Sequence, residues 1–276
     1  MNWTFPPSSD GWPKVMGIIN VTPDSFSDGG QFDSVDAAVR QASAMVKAGV
    51  DIVDVGGEST RPGADRVAVD QELERVVPVI EAIVREFDVP VSIDTTKPEV
   101  MTAATDAGAL MINDVNGLEA EGALKAAALA RVPVCVMHRQ GSAKTMQDNP
   151  TYQSVVADIA HYLANRVTAC EAAGIDRDQI IVDPGFGFGK TLEHNLALFK
   201  SLPALSPQPL LVGVSRKSML GAVLNREVDE RLSGSLALAA LAAWMGAAII
   251  RVHDVPETID AVRITCAVRD VAYNTA

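Results

Sequence analysis

The chain has 276 residues, of which 48% are hydrophobic, so it can bury a sizeable core and does not have the composition of a disordered protein. Its formal net charge of -12 argues against a broad surface for nucleic acid, so an anionic ligand needs a local cluster of Arg and Lys. Cys135, Cys170 and Cys266 are too few and too dispersed for a disulfide framework or a Cys-x-x-Cys metal site. The first residues lack a basic region followed by an apolar core, so we expect a cytoplasmic protein without a signal peptide.

Short apolar runs, each followed by a polar residue or a turn, recur along the whole chain and predict eight β-strands. The predicted strands are residues 15–20, 52–55, 91–94, 110–114, 134–138, 180–183, 210–214 and 248–252. Helical patterns lie between or after them, including residues 36–47, 71–86, 99–107 and 154–173.

The repeated order of strand and helix predicts a parallel (β/α)8 barrel, the TIM-barrel fold, which typically takes about 250 residues. An open doubly wound sheet is the alternative, but no Gly-x-Gly-x-x-Gly pattern opens an early helix and no linker divides the chain. Helical patterns end in a glycine, as expected where the backbone turns left-handed: Gly49, Gly108, Gly174 and Gly246. We expect one domain over residues 15–276, with residues 1–14 as an N-terminal extension.

The stretch at residues 233–250 approaches the length of about 18 apolar residues that indicates a transmembrane helix. It is mostly alanine, however, and Gly246 interrupts it at a position typical of a helix end. We therefore predict a buried helix that ends near Met245, followed by a strand at residues 248–252, and no membrane span.

Every predicted strand ends in polar or charged residues. In a (β/α)8 barrel the functional residues lie at the carboxyl ends of the strands. One or two polar residues there are common in any protein, whereas polar residues at all eight ends indicate a polar pocket. The residues at these ends are Asn20, Asp54, Asp94, Asn113, His138, Asp183, Ser215, Arg216, Lys217, Arg251 and His253.

Long loops follow the first two predicted strands. Residues 20–30 are rich in serine and glycine and include Phe26, and residues 56–63 are flanked by glycine and include Arg61. A solvated connector is one interpretation of such a composition. Because both loops would lie over the barrel mouth, we expect them to close on a substrate.

The loop at residues 183–190 follows a predicted buried strand and is the most informative part of the sequence. Glycines let its backbone approach a ligand closely, and two phenylalanines can form the wall of an aromatic ligand site. Its end, Gly189-Lys190-Thr191, matches the end of the phosphate-binding pattern Gly-x-x-x-x-Gly-Lys-[Ser/Thr]. Pro184 occupies the position of the first glycine, so that pattern fails.

Asp94, Asn113 and Asp183 are expected to meet in a pocket of low dielectric constant. An ionised carboxylate only accepts hydrogen bonds, so this set suits the N–H and amino groups of a heterocycle. Metal binding by the set remains an alternative. Helix N-capping by Asp94, which precedes a typical helix start, is another.

Four basic residues lie at the carboxyl ends of the last two strands. Lys217 lies close to the start of a helical turn, whose free N–H groups favour an anion. Arg251 and His253 alternate along the eighth strand, so both point to the same side and together suit a phosphate. Salt bridges to neighbouring Asp or Glu residues remain the alternative for each of them, and for Arg216.

Five of these segments, taken in order, resemble the dihydropteroate synthases: residues 16–26, 54–63, 183–190, 215–218 and 251–254. The resemblance runs from about Met16 to near Val262. It implies a pterin-binding barrel, usually a homodimer, that acts in folate biosynthesis. The implied reaction joins 6-hydroxymethyl-7,8-dihydropterin diphosphate to 4-aminobenzoate and gives 7,8-dihydropteroate and diphosphate.

The resemblance also implies roles for individual residues. The pterin ring would be bound by Asp94, Asn113, Met137, Asp183, Phe188 and Lys217. The diphosphate would be bound by Arg251 and His253, with Mg2+ as cofactor on Asn20. The aminobenzoate would be bound by Thr60, Arg61, Pro62, Phe188 and Ser218. The catalytic residues would be Asp94, Lys217 and Arg61.

Three other functions are weighed against this one. A non-catalytic pterin-binding paralogue would have no reason to keep Thr60, Arg61, Pro62 and Ser218. A pterin- or corrinoid-linked methyltransferase would have no reason to keep a cationic diphosphate site. A Schiff-base aldolase would use Lys217, and trapping with borohydride would detect it.

Overall fold

The computed structural model describes residues 11–22, 31–60 and 63–271, in which eight parallel strands form one sheet. Their order is β6-β5-β4-β3-β2-β1-β8-β7, and a bridge between Val182 and Leu210 brings the two edge strands together, so the sheet closes into the predicted (β/α)8 barrel. The strands are β1 (Lys14–Asn20), β2 (Ile52–Gly56), β3 (Val91–Asp94), β4 (Met111–Asp114), β5 (Val134–Met137), β6 (Ile180–Asp183), β7 (Leu211–Val212) and β8 (Ile249–Val252).

Helices surround this barrel and connect successive strands. They are α1 (Gln31–Ala48), α2 (Val69–Glu86), α3 (Pro98–Asp106), α4 (Ala123–Ala130), α5 (Val155–Ala172), α6 (Leu192–Lys200), α7 (Ser218–Leu224), α8 (Leu232–Trp244) and α9 (Val255–Asp270). The four glycines predicted to end helices all have positive φ, between +86° at Gly246 and +107° at Gly108, as a left-handed helix end requires.

The apolar stretch before Gly246 divides as predicted, because α8 ends at Trp244 and β8 begins at Ile249. Among the described helices, none combines the length and the apolar character that crossing a membrane requires. The predicted seventh strand, residues 210–214, is too long. Regular pairing stops at Val212 because the chain turns away toward Arg216, whose φ is +57°.

The N-terminal boundary of the barrel stays a prediction. β1 begins at Lys14, one residue before the predicted start, and residues 1–10 lie outside the described part of the chain.

Two apolar layers hold the barrel together. The outer layer packs the outward side chains of the strands against the helices. The inner layer is a small buried cluster inside the barrel, with one residue from each of seven strands: Met16, Ile52, Met111, Cys135, Ile181, Leu211 and Ile249. Cys135 is therefore a core residue, as expected, and all three cysteines are buried and free.

Candidate active site

The candidate site lies directly above the inner apolar cluster. Side chains alternate along a strand, so the residue two positions after an inward residue also points inward. Applying this rule to the apolar cluster gives the next level of the barrel interior, at the carboxyl ends of the strands. This level contains Asp54, Asn113, Met137, Asp183 and Arg251, together with Asp94, two residues after the buried Ser92.

Strand register explains why these residues meet although they are far apart in the sequence. Asp94 on β3 pairs in register with Asn113 on β4, and Met137 on β5 pairs with Asp183 on β6. Asp94 also pairs with Gly56 on β2, where a Cβ would lie 3.5 Å from the Cβ of Asp94, so glycine keeps this part of the interior open.

Arg251 is the centre of a buried ionic network in this level. Its Nε donates to Asp54 Oδ2 (2.6 Å) and its Nη2 donates to Asp94 Oδ2 (2.7 Å). Asn113 Nδ2 donates to the same Asp54 oxygen (3.1 Å). The salt-bridge alternative is thus correct for Arg251 in this structure, although a guanidinium has five N–H donors and these bonds occupy only two.

Asp94 does not cap a helix. The N-cap position of α3 is Lys97, and Asp94 instead pairs with Arg251 inside the barrel. Burial raises the pKa of Asp94 to about 7; the charge of Arg251 opposes this shift, and that of Asp54 adds to it. The second oxygens of Asp54 and Asp94, both Oδ1, are buried without a hydrogen-bond partner among the described residues. The site therefore offers two acceptors to a donor-bearing ligand.

Asp183 and Lys217 form the opposite side of the site. Asp183 Oδ1 accepts a hydrogen bond from the Gly185 N–H (2.7 Å). Burial raises the pKa of Asp183, while this bond and the nearby Lys217 oppose the shift. Lys217 Nζ donates to the Phe186 carbonyl (2.8 Å) and lies 4.1 Å from the centre of the Phe188 ring. Burial lowers the pKa of Lys217 to about 8.

The loop that follows Asp183 is held by its backbone carbonyls. Four successive carbonyls, from Phe186 to Gly189, each accept a hydrogen bond from a side chain. The donors are Lys217 Nζ (2.8 Å), Gln147 Nε2 (2.6 Å), Lys190 Nζ (2.9 Å) and Tyr152 Oη (2.6 Å), in that order. Glycine is required here, because a Cβ on Gly185 would lie 1.9 Å from the His138 carbonyl oxygen. The loop therefore presents Phe188 on a fixed backbone, and Phe188 packs with Met137.

His138 does not join the pocket. It follows the inward Met137 and so points outward, where its Nδ1 lies 3.0 Å from Lys190 Nζ and its ring packs edge-on against Tyr162. Burial, together with the charge of Lys190, lowers the pKa of His138 to about 3, so the ring is neutral. The prediction that polar residues at all eight strand ends share one pocket is wrong for this residue.

Two of the basic residues predicted to bind an anion, His253 and Arg216, have different kinds of partner. His253 Nδ1 lies 3.0 Å from Ser215 Oγ, which also accepts from the His253 backbone N–H (3.2 Å), so the two strand ends are linked. Arg216 instead pairs with Asp254, with Nε donating to Oδ2 (3.0 Å). Its role is therefore structural. Ser218 is the first residue of α7 and is exposed.

Other predicted residues lie at the rim of the barrel. Thr60 is half-buried on the loop after β2, whereas Arg61 and Pro62 lie outside the described residues, as do residues 23–30 of the first loop. Asn20 is the last residue of β1, in register with Gly56. Among the described residues, no group of three or more His, Cys, Asp or Glu could hold a metal ion.

The sequence placed Asp54 at a strand end and Lys190 in the loop after β6 but gave neither a role, and it did not identify Gln147 or Tyr152. Asp54 had a usable signal, since it stands two residues after an apolar residue of a buried strand and thus faces the barrel interior. Gln147 and Tyr152 reach the loop after β6 from 40 and 37 residues away, and no local pattern marks such contacts. Lys190 lies in the loop itself and donates to the Phe188 carbonyl only two residues before it.

Comparison with known proteins gives one consistent result. The sequence profile of the pterin binding enzymes matches residues 16–253. The dihydropteroate synthase of Escherichia coli (strain K12) is 53% identical over 264 residues, which cover 95% of this chain and 94% of the relative.

Solved structures agree in fold as well as in sequence. Dihydropteroate synthase from Xanthomonas albilineans with 4-aminobenzoic acid has a TM-score of 0.90 and 50% identity, covering 95% of this chain and 94% of the other. The same organism's enzyme in complex with 7,8-dihydropteroate has a TM-score of 0.87 and 46% identity, covering 96% and 97%.

Proposed function

The chain belongs to the dihydropteroate synthase family of pterin-binding enzymes, and we propose that it condenses 6-hydroxymethyl-7,8-dihydropterin diphosphate with 4-aminobenzoate. The products are 7,8-dihydropteroate and diphosphate. The observation that carries this proposal is the level of inward polar side chains around Arg251, with its two unpaired carboxylate oxygens. The ligands of the Xanthomonas albilineans structures, 4-aminobenzoic acid and 7,8-dihydropteroate, are one substrate and one product of this reaction.

The pterin ring fits the chemistry of this level. A pterin carries several N–H donors on one edge, and buried carboxylates offer only acceptors when ionised. We assign this edge to Asp183, with Asp94 and Asn113 beside it. Met137 and Phe188 supply an apolar wall, and the Lys217 ammonium supplies a donor for a ring acceptor.

The diphosphate is assigned to the rim next to β8. Arg251 and His253 are the residues proposed to contact its oxygens, and their charge and hydrogen bonds would stabilise the departing anion. Asn20 offers a single amide oxygen at the end of β1, which fits Mg2+ only if substrate phosphates and water complete its shell, as is usual for this ion. When bound there, Mg2+ would supply further positive charge at the diphosphate.

The reaction needs charge stabilisation more than a strong base. The bond between the pterin methylene and the diphosphate oxygen breaks, and its electron pair leaves with the diphosphate. The electron-rich pterin shares the positive charge on the methylene, and Asp94 stabilises it in its anionic form, above a pKa of about 7. The amine lone pair then forms the new C–N bond, and the nitrogen releases a proton to water.

The aminobenzoate is assigned to the mouth of the barrel. Thr60, Arg61 and Pro62 would approach it from the loop after β2, Phe188 from the loop after β6, and Ser218 from the start of α7. The free N–H groups at that helix start suit the benzoate carboxylate. Arg61 would add a positive charge that attracts the benzoate carboxylate.

Turnover with both purified substrates, with and without Mg2+, tests the proposed function. We expect diphosphate release that requires 4-aminobenzoate and equals the dihydropteroate formed. Tight pterin binding without release would indicate a non-catalytic paralogue instead. Borohydride trapping of Lys217 with a carbonyl substrate would indicate an aldolase.

We also propose that the protein acts as a homodimer. Large apolar side chains are exposed on α7, α8 and α9, which are neighbours in the fold, and on the residue after α9. They are Val223, Leu224, Leu232, Leu241, Trp244, Ile264, Val268 and Val271. A concentration of this kind is typical of a surface that a second copy covers.

Light scattering tests the dimer. We expect the wild-type protein to have twice the mass of one chain and Ile264→Glu to shift it toward the monomer. Leu129→Glu on α4 is the matched control, since Leu129 is equally exposed (72%, against 69% for Ile264) but lies far from this surface. A monomeric wild type, or equal dissociation by the control, would contradict the proposal.

A further inference from the structure

A half-buried carboxylate closes the base of the loop after β2. Glu58 Oε2 accepts a hydrogen bond from the Val67 backbone N–H (3.0 Å) and forms an ion pair with Lys97 Nζ. Val67 lies at the far end of the same loop, nine residues later and just before α2. One oxygen thus joins the two ends of the loop to each other and to the chain that follows β3.

The start of this loop is also fixed by α2. A Cβ on Gly57 would lie 2.7 Å from Val76 Cγ1, so the backbone rests directly on the helix. Arg75 Nη1 donates to the Gly57 carbonyl (2.8 Å). The backbone therefore leaves β2 along a defined path, which brings Glu58 to a position two residues before Thr60.

The same network reaches the residue next to Asp94. Lys97 also forms an ion pair with Glu72, which is completely buried on α2, and Thr95 Oγ1 donates to the other Glu72 oxygen (2.6 Å). A completely buried carboxylate is stable only when it is paired and hydrogen-bonded, as Glu72 is. The network therefore connects the loop base with the end of β3.

We propose that Glu58, held by Lys97, is a positioning residue for the aminobenzoate subsite. It acts through the loop base and touches neither substrate. This inference rests on the function proposed above, in which Thr60 contacts aminobenzoate. Glu58 fixes the segment that leads to Thr60, two residues further on, while Glu72 still holds Lys97 when Glu58 is changed. Releasing Glu58 therefore misplaces the subsite without disturbing the pterin site inside the barrel.

Three substitutions separate the hydrogen bond from the charge. Glu58→Ala removes both. Glu58→Asp keeps the charge but is one methylene shorter, so the reach to Val67 is lost. Glu58→Gln removes the charge but keeps an oxygen that can accept from both Val67 and Lys97. Glu171→Ala, which breaks an exposed ion pair with Arg177 elsewhere on the protein, is the matched control.

Steady-state kinetics with each substrate varied in turn, together with melting temperatures, tests the proposal. We expect the KM for 4-aminobenzoate to rise about tenfold or more in Glu58→Ala, as loss of a hydrogen bond to a charged group implies, and to rise likewise in Glu58→Asp. The KM for the pterin diphosphate should stay within about twofold of the wild-type value in all these variants. In Glu58→Gln the KM for 4-aminobenzoate should also stay close to the values of the wild type and of Glu171→Ala.

The inference is overturned if both KM values rise together, if the KM for aminobenzoate does not change in Glu58→Ala and Glu58→Asp, or if Glu58→Gln is as impaired as Glu58→Ala. If Glu58→Ala does not fold, the comparison of Glu58→Asp with Glu58→Gln decides the matter alone. A wild-type protein without turnover would instead refute the proposed function, so the two failures are distinct.

Discussion

Removing the Arg251 guanidinium is expected to destabilise the protein as well as weaken diphosphate binding. In Arg251→Met an apolar chain of similar length replaces a side chain that bonds to Asp54 and Asp94 at 2.6 and 2.7 Å. Both carboxylates are then left inside the barrel without their cation. Asp54 is completely buried and Asp94 is 7% exposed, so water cannot replace the lost hydrogen bonds easily.

The magnitude follows from the burial of the two carboxylates. Breaking a buried ion pair by removing one partner costs about 3–5 kcal/mol, because the remaining charge is uncompensated. One oxygen of each carboxylate already has no hydrogen-bond partner among the described residues, and the loss of Arg251 removes the donor to Asp94 Oδ2 as well. Since typical domains are stable by only about 5–15 kcal/mol, the variant should be close to the limit of folding at neutral pH.

The loss should depend on pH in a defined direction. Burial already raises the pKa of Asp94 to about 7, and Arg251 opposes that shift, so the pKa rises further in the variant. A carboxyl group with a raised pKa favours the folded state at low pH, and this contribution is lost as the pH rises through the folded pKa. We therefore expect a smaller destabilisation at pH 5.5 than at pH 8.

Urea denaturation at these two pH values, followed by tryptophan fluorescence, measures the free energy of unfolding. Arg177→Met, which breaks the exposed ion pair with Glu171, is the control and should change stability by less than about 1 kcal/mol. The reasoning is refuted if Arg251→Met loses no more than this control, or if its loss is greater at pH 5.5 than at pH 8.

Four further outcomes follow from the site. Asp183→Asn should leave the fold intact but weaken pterin binding by about 1–3 kcal/mol, because an amide leaves a substrate N–H unpaired; unchanged affinity in calorimetry would contradict this. His253→Ala should weaken binding of the pterin diphosphate much more than that of the bare hydroxymethylpterin, and equal losses would remove His253 from the diphosphate site. Aminobenzoate should bind only after pterin, Mg2+ and diphosphate, and Arg61→Ala should reduce that gain; equal binding to the free protein in equilibrium dialysis would exclude this order. The kcat/KM for the pterin diphosphate should rise through a pH of about 7 as Asp94 ionises and fall above a pH of about 8 as Lys217 loses its proton. In Lys217→Arg the decrease at high pH should begin at a higher pH.

The barrel could be predicted because its signals are local and repeated. Each strand is a short apolar run, and the glycines that precede several strands mark helix ends. The alternation of side chains along each strand also identifies the residues that point into the barrel. Asp183 follows the inward Ile181 by two positions, and Arg251 follows the inward Ile249 by two. His138, one position after Met137, points outward for the same reason.

The partners of the charged side chains could not be predicted, because they depend on contacts between distant strands. Arg251 meets Asp54 across 197 positions of the chain, and Arg216 meets Asp254 across 38. A sequence shows that a guanidinium is present but not whether a carboxylate or a ligand phosphate faces it. The support of the loop after β6 by Gln147 and Tyr152 could not be predicted either, since these residues lie 40 and 37 positions from the carbonyls to which they donate.

Incubation of the wild-type protein with the pterin diphosphate, Mg2+ and 4-aminobenzoate labelled with 15N at its amine tests the central claim most directly. Mass spectrometry should detect 7,8-dihydropteroate that carries the heavy nitrogen, in an amount equal to the diphosphate released. Diphosphate release accompanied by unlabelled hydroxymethylpterin, or no release at all, would contradict the claim that this barrel joins the two substrates.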